Sequence, residues 1–98
     1  IGAMAFYHCI ELTEITIPEG VVSIGYGAFS QCENLTNIII PQSVVLLEPA
    51  VFDFCSNLKT INYLGTMEQW TAIKINGLGR LTQITQVVCS DGVIMIEN

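Results

Sequence analysis

The sequence predicts a small repeat solenoid, α/β or β-rich, in which repeated coils stack on one another and a different C-terminal segment closes the stack. Three observations support this fold class. Shifting the chain so that Ala5 lies on Ala28 aligns ten identical residues within one repeat unit. Alternating apolar residues precede a proline in the first two units. The chain of 98 residues is 51% hydrophobic and only 12% charged, so it has enough apolar surface to bury in one domain.

Each unit contains one predicted strand. Ile15 and Ile17 alternate with a period of two, as do their counterparts in the next unit, so each pair points to one face of a strand. A proline follows each pair and ends the strand, because proline has no N–H to donate to a neighbouring strand. In the third unit Tyr63 and Leu64 replace the expected Ile-Pro, which indicates the end of the repeats.

The chain must then turn back toward the next strand. Residues 21–24 and 44–47 are apolar enough to form a returning wall, and we expect short helical turns over 28–32 and 51–55. Stacked coils lie about 4.7–4.9 Å apart, so equivalent side chains form ladders in the core. The predicted ladders are Phe6, Phe29 and Phe52; Leu12, Leu35 and Leu58; and Cys9, Cys32 and Cys55.

The C-terminal segment has its own signals. Thr66 and the glutamine at position 69 match a capping box and predict a helix over 66–75 that plugs the stack. After a glycine-containing linker at 77–79, the apolar runs 84–89 and 93–96 flank a Ser-Asp-Gly turn signal. This pattern predicts a hairpin whose first strand extends the parallel sheet.

The spacing from Ile17 to Pro41, Ile-Pro-x-x-Val-x-x-Ile-x-x-x-Ala-Phe-x-x-Cys-x-x-Leu-x-x-Ile-x-Ile-Pro, closely resembles the BspA-like (Treponema pallidum-type) leucine-rich repeats. The match covers residues 1–64, and the tail is similar to the closing segment of such arrays. The resemblance implies a leucine-rich-repeat solenoid with a parallel sheet of 23-residue coils and a cap of one helix plus a hairpin. The expected divisions are 1–64 for the repeats, with units 5–27, 28–50 and a partial 51–64, and 65–98 for the capping segment.

The same resemblance implies a non-catalytic module for protein interaction or adhesion, in a bacterial or protozoan secreted or cell-surface protein. A purely structural spacer in a larger surface protein is the alternative. The formal net charge of −6 argues against nucleic acid or an anionic membrane as partner. No apolar run approaches the roughly 20 residues that span a bilayer, so no membrane segment is expected. The chain opens without an initiator methionine or a visible signal peptide, so we expect a mature or trimmed piece of a longer protein. No cofactor is expected.

Outward-facing strand positions are the candidate protein-binding face, on the concave side of the solenoid. They form two columns: Glu14, Asn37 and Thr60, and beside them Thr16, Ile39 and Asn62. Extended faces of this kind are how solenoids bind proteins. Nearby glutamates make the region acidic and favour a basic protein patch as the complement. Ile39 is notable as an apolar residue expected to face water. A solvated face without a ligand is the alternative.

Cysteine and histidine residues offer the remaining candidate chemistry. The four cysteines are spread widely through the chain, at positions 9, 32, 55 and 89. Zinc sites use closely spaced pairs instead, so no metal is expected. A disulfide between adjacent coils is conceivable, but buried free thiols are the favoured interpretation. Cys9 beside His8 raises a Cys/His hydrolase as the third functional hypothesis. The open N-terminal edge either continues into further repeats or associates with another copy.

Overall fold

A computed structural model describes residues 1–75 and 83–96. The predicted linker at 77–79 lies outside the described residues. Eight strands and one helix occur in the described part, in the order β1 (Glu14–Thr16), β2 (Ser23–Ile24), β3 (Asn37–Ile40), β4 (Leu46–Leu47), β5 (Thr60–Tyr63), α1 (Met67–Ala72), β6 (Lys74–Ile75), β7 (Gln86–Cys89) and β8 (Gly92–Met95). No helix among them is long and apolar enough to cross a bilayer.

The main sheet has five strands in the order β1-β3-β5-β7-β8. All pairs are parallel except β7 with β8, which form an antiparallel hairpin. Ile15 pairs with Ile38, and Ile38 with Ile61, so each strand lies beside its counterpart in the next repeat unit. Ile61 then pairs with Val87. These pairings confirm the predicted stack of parallel strands.

A second sheet forms the opposite wall of each coil. Strands β2, β4 and β6 pair in parallel, so the apolar returning segments run side by side as the main strands do. Ile24 and Leu47 are fully buried and point inward, whereas Val22 and Val45 are exposed on the outside. The core lies between the two sheets.

Phenylalanine rings form a ladder through this core. The ring centroids of Phe6 and Phe29 are 5.1 Å apart with parallel planes, and those of Phe29 and Phe52 are 6.0 Å apart. Phe29 and Phe52 are completely buried, but Phe6 is only partly buried because no described coil covers its other side. Leu12 differs from the buried Leu35 in the same way. Burial therefore increases from the first coil to the second.

Residues 28–32 and 51–55 form turns rather than the short helices that the sequence predicts. Gly27 and Gln31 have φ of 59° and 61°, and these left-handed residues interrupt any helix. Their amide groups, and that of Phe29, donate instead to carbonyl groups of the next coil, at 2.7–3.1 Å. This ladder between coils satisfies backbone groups that a helix would pair internally. The Phe and Cys side chains still point into the core.

Helix α1 begins with the capping box that the sequence predicts. The Thr66 hydroxyl accepts from the Gln69 amide at 3.1 Å, and the Gln69 side chain accepts from the Thr66 amide at 2.8 Å. The helix ends at Ala72 rather than at residue 75. Ile73 has an extended conformation, and the next two residues form β6, where the Lys74 amide donates to the Val45 carbonyl. Pairing with β4 extends the second sheet, which a helix continued to residue 75 would prevent.

Candidate protein-binding face

The six predicted residues lie in two adjacent columns of the main sheet. Glu14 pairs with Asn37 and Asn37 with Thr60. Thr16, Ile39 and Asn62 are aligned in the same way. Between the columns Ile38 and Ile61 are buried and Ile15 is partly buried against the core, so by strand alternation the two columns point away from the core. We call this surface the outward face.

Polar side chains of the outward face bond to one another. The Asn62 amide nitrogen donates to the Asn37 side-chain oxygen on the neighbouring strand. The Gln86 amide nitrogen donates to the Thr60 hydroxyl at 3.1 Å. These contacts link β3 with β5 and β5 with β7, and they orient the side chains before any ligand arrives. A partner must therefore either add to these hydrogen bonds or exchange them for its own.

The N-terminal end of the outward face is the more open part. Glu14 and Thr16 are exposed, whereas Asn37 and Ile39 are half-buried. Together with Ile15 these four residues line a shallow depression. It combines the Glu14 carboxylate with aliphatic surface from isoleucine. A basic side chain next to an aliphatic one is the chemistry that complements this pair.

The hairpin extends the outward face by four residues that the sequence analysis did not include. They follow the same alternation and are Gln86, Val88, Val93 and Met95. Gln86 is aligned with Thr60 at a longer interval than the one that separates the repeat strands, so the repeat period does not reach it. The strand alternation within Gln-Val-Val-Cys was the signal in the sequence from which the outward positions of β7 could have been predicted. The face is therefore polar and acidic at the β1 end and apolar at the β8 end.

All four cysteines are free thiols. The Cys32 Sγ donates to the Phe6 carbonyl at 3.1 Å, and the Cys55 Sγ donates to the Phe29 carbonyl at 3.0 Å, so each bonds to the preceding coil. Burial raises the pKa of Cys32, and burial together with the neighbouring Cys32 raises the pKa of Cys55 to about 12. Burial also raises the pKa of Cys89. These thiols are neutral packing groups at neutral pH.

His8 lies in a left-handed turn, with φ of 57°, and its side chain is exposed. Its ring lies 6.0 Å from that of Tyr7 and makes no hydrogen bond to the Cys9 thiol within the described residues. The structure does not bring these two groups together as a nucleophile and base. Across 1–75 and 83–96, no group of three or more His, Cys, Asp or Glu residues could hold a metal ion.

A family model described as the BspA type leucine rich repeat region (6 copies) matches residues 1–98. The chain belongs to the BspA-type leucine-rich repeat family. The resemblance seen over residues 1–64 is thereby confirmed, and the match also includes the C-terminal segment. No significant match to a curated protein or to a solved structure was found. The membership, together with a mostly parallel sheet and a single described helix, supports a repeat solenoid.

Proposed function

We propose that this leucine-rich repeat chain is a non-catalytic module that binds another protein through its outward face, in the setting of a secreted or cell-surface adhesion protein. The observation that carries the proposal is the pair of side-chain columns, held at strand spacing by a rigid sheet. They place Glu14 and Ile39 at the same depression. Membership of a repeat family that serves protein interaction supports the same function.

The C-terminal elements stabilise the shape of the outward face. We propose that α1 and the β7-β8 hairpin cap the stack: Trp70 is buried against Tyr63, with ring centroids 5.3 Å apart. The Met67 amide donates to the Asp91 carboxylate at 2.8 Å, which ties the helix to the hairpin turn. Such a cap keeps β5 and β7 in register, and hence the outward face in shape.

Charge reversal at the face tests the proposal. A ligand is first isolated with the purified chain from host or bacterial surface extracts, and its affinity is then measured by titration. We expect Glu14→Lys combined with Ile39→Asp to weaken binding at least tenfold. Glu19→Lys combined with Val45→Asp makes the same chemical changes at exposed positions outside the columns and should leave the affinity within about twofold. If both double variants bind the ligand with the wild-type affinity, the outward face is not the binding surface, and the structural spacer is favoured.

The hydrolase hypothesis has its own test. A Cys/His hydrolase requires a reactive Cys9 thiolate, so alkylation of the folded protein should modify Cys9 and abolish an activity. Cys9 is only partly buried, so its labelling alone does not decide. We expect replacement of His8 with Gln to leave the rate of Cys9 labelling unchanged, because the ring does not bond to the thiol. A large fall in that rate would support a Cys/His pair.

Self-association through the N-terminal edge stays a prediction. Partly buried apolar side chains meet this edge, Phe6 and Leu12 among them. Glu11 in the first unit is equivalent to Asn34 in the second. The Asn34 side chain donates to the Ile10 carbonyl of the preceding coil at 2.7 Å. A carboxylate cannot donate in this way, so the partner at this edge must supply N–H groups of its own.

A further inference from the structure

The outer edge of the hairpin has unpaired backbone groups in a defined pattern. The Ile96 amide donates to the Thr85 carbonyl at 2.8 Å, which fixes the phase of the antiparallel ladder. Because hydrogen-bonded and non-bonded pairs alternate, Ile94 also bonds toward β7, whereas the amide and carbonyl groups of Val93 and Met95 point to the opposite side. No strand within the described residues pairs with that side of β8.

This edge lacks the charges that usually protect exposed strands. Strand β8 contains no charged residue, and the side chains of Val93 and Met95 are 48% and 66% exposed on the outward face. The opposite edge of the sheet is different. Strand β1 has three residues including Glu14, and exposed glutamates lie close to it in sequence at positions 11 and 19. Strand β1 is protected from strand pairing by its short length and by a charge within the strand, whereas the charges nearest to β8, Asp91 and Glu97, lie outside the strand in sequence.

A second copy of the chain fits the β8 edge. In a two-fold antiparallel register centred on Ile94, Val93 of one copy lies opposite Met95 of the other. Both pairs are then hydrogen-bonded, and four bonds use all the free amide and carbonyl groups of these two residues. The two Ile94 side chains meet on the core side, where each is only partly buried alone. Every β8 residue is uncharged, but Asp91 directly precedes the strand, and in this register its position falls opposite position 97, a glutamate, of the other copy, so the pairing forms against carboxylate repulsion.

We infer that the chain forms a symmetric homodimer through antiparallel β8-β8 pairing, giving one continuous sheet of ten strands. One short strand from each copy buries less than the ~1,200–2,000 Å² of stable interfaces, so the dimer is weak, with a Kd on the order of 0.1–1 mM. The net negative charge opposes association at long range. Salt screens that repulsion and strengthens the dimer.

Sedimentation equilibrium of the full chain from about 20 µM to about 1 mM, a range that brackets the expected Kd, measures the association at low and high salt. Val93→Lys and Met95→Lys should each raise the Kd at least tenfold. Val45→Lys, at an equally exposed valine of the second sheet, should leave the Kd within twofold. Unchanged far-ultraviolet circular dichroism establishes that each variant is folded. A wild type that stays strictly monomeric at the highest concentration and high salt overturns the inference.

Amide hydrogen exchange identifies the pairing edge. The amides of Val93 and Met95 should become more protected as concentration rises, while the Ile96 amide, already bonded to Thr85, should not change. Protection of these two amides supports the β8 dimer. Association that protects β1 amides instead, or that leaves Val93 and Met95 exchanging at the same rate, overturns it, because contact through the N-terminal edge or through side chains alone gives that result. Neither outcome affects the proposed ligand-binding role of Glu14 and Ile39.

Discussion

Truncating equivalent leucines in successive coils should cost different amounts of stability. Leu35 is fully buried with a coil on either side, so Leu35→Ala should lose about 3–4 kcal/mol from the lost transfer energy and the enclosed cavity. Leu12 occupies the same place in the first coil but is covered on one side only. Leu12→Ala leaves no closed cavity and should lose about 1–2 kcal/mol. The gap of roughly 2 kcal/mol measures the contribution of one neighbouring coil.

Urea unfolding followed by circular dichroism measures both variants at room temperature. With m of about 1–3 kcal/mol/M, the Leu35 variant should shift the midpoint by about 1–4 M. Leu58→Ala serves as a second buried reference, and its effect should be additive with that of Leu12→Ala, two coils away, but coupled to that of Leu35→Ala. Equal losses at Leu12 and Leu35 would refute the reasoning, because they would show that the first coil is covered as completely as the second.

Three further substitutions or conditions test local features of the fold. Ala50 has φ of 62°, so Ala50→Gly should relieve left-handed strain. After subtraction of the entropy that glycine adds to the unfolded chain, the variant should be more stable by about 0.5–1 kcal/mol in urea titration, and a loss of stability would contradict this. A Cβ at Gly65 would lie 2.6 Å from the Tyr63 ring and from the Gln69 side-chain oxygen, so Gly65→Ala should cost about 1–3 kcal/mol. A smaller loss in urea would mean that the start of α1 readily shifts. In the folded chain the Cys55 thiol keeps its proton up to a pKa of about 12, whereas in the unfolded chain it loses the proton above about pH 9. Between these two pH values the free energy of unfolding should therefore fall by up to ~1.4 kcal/mol per pH unit. Cys55→Ala should flatten this slope, and an unchanged slope would assign it to other groups.

The repeat period was sufficient to predict strands β1, β3 and β5 of the main sheet and their register. Strands that recur at one interval and bury the same residue types gain most when like residues lie side by side, as Ile15, Ile38 and Ile61 do. The outward face follows directly, because its columns are the alternate residues of those strands. Repetition thus supplied information that a single short strand could not.

Features that depend on contacts between distant segments were less predictable. The three-residue spacing of Phe and Cys in 28–32 and 51–55 predicts helical turns, but Gln31 and Phe54 are left-handed, and the Gln31 amide bonds to the next coil instead. Strand β6 lay inside the predicted helix. Val93 and Met95 were missed as face residues because β7 follows β5 at a different interval. In each case the deciding interaction is between distant segments rather than within one.

Hydrogen-bond scalar couplings between amide nitrogen and carbonyl carbon test the stacked register most directly. The structure pairs the Ile17 amide with the Ile39 carbonyl at 2.9 Å and the Thr36 amide with the Thr13 carbonyl at 2.8 Å. Couplings across these two pairs, and across Leu64 to Ile40, are the expected result. Couplings from the Ile17 amide to any other carbonyl, or pairs that indicate antiparallel strands over residues 14–63, would contradict the stack of coils and the outward face built on it.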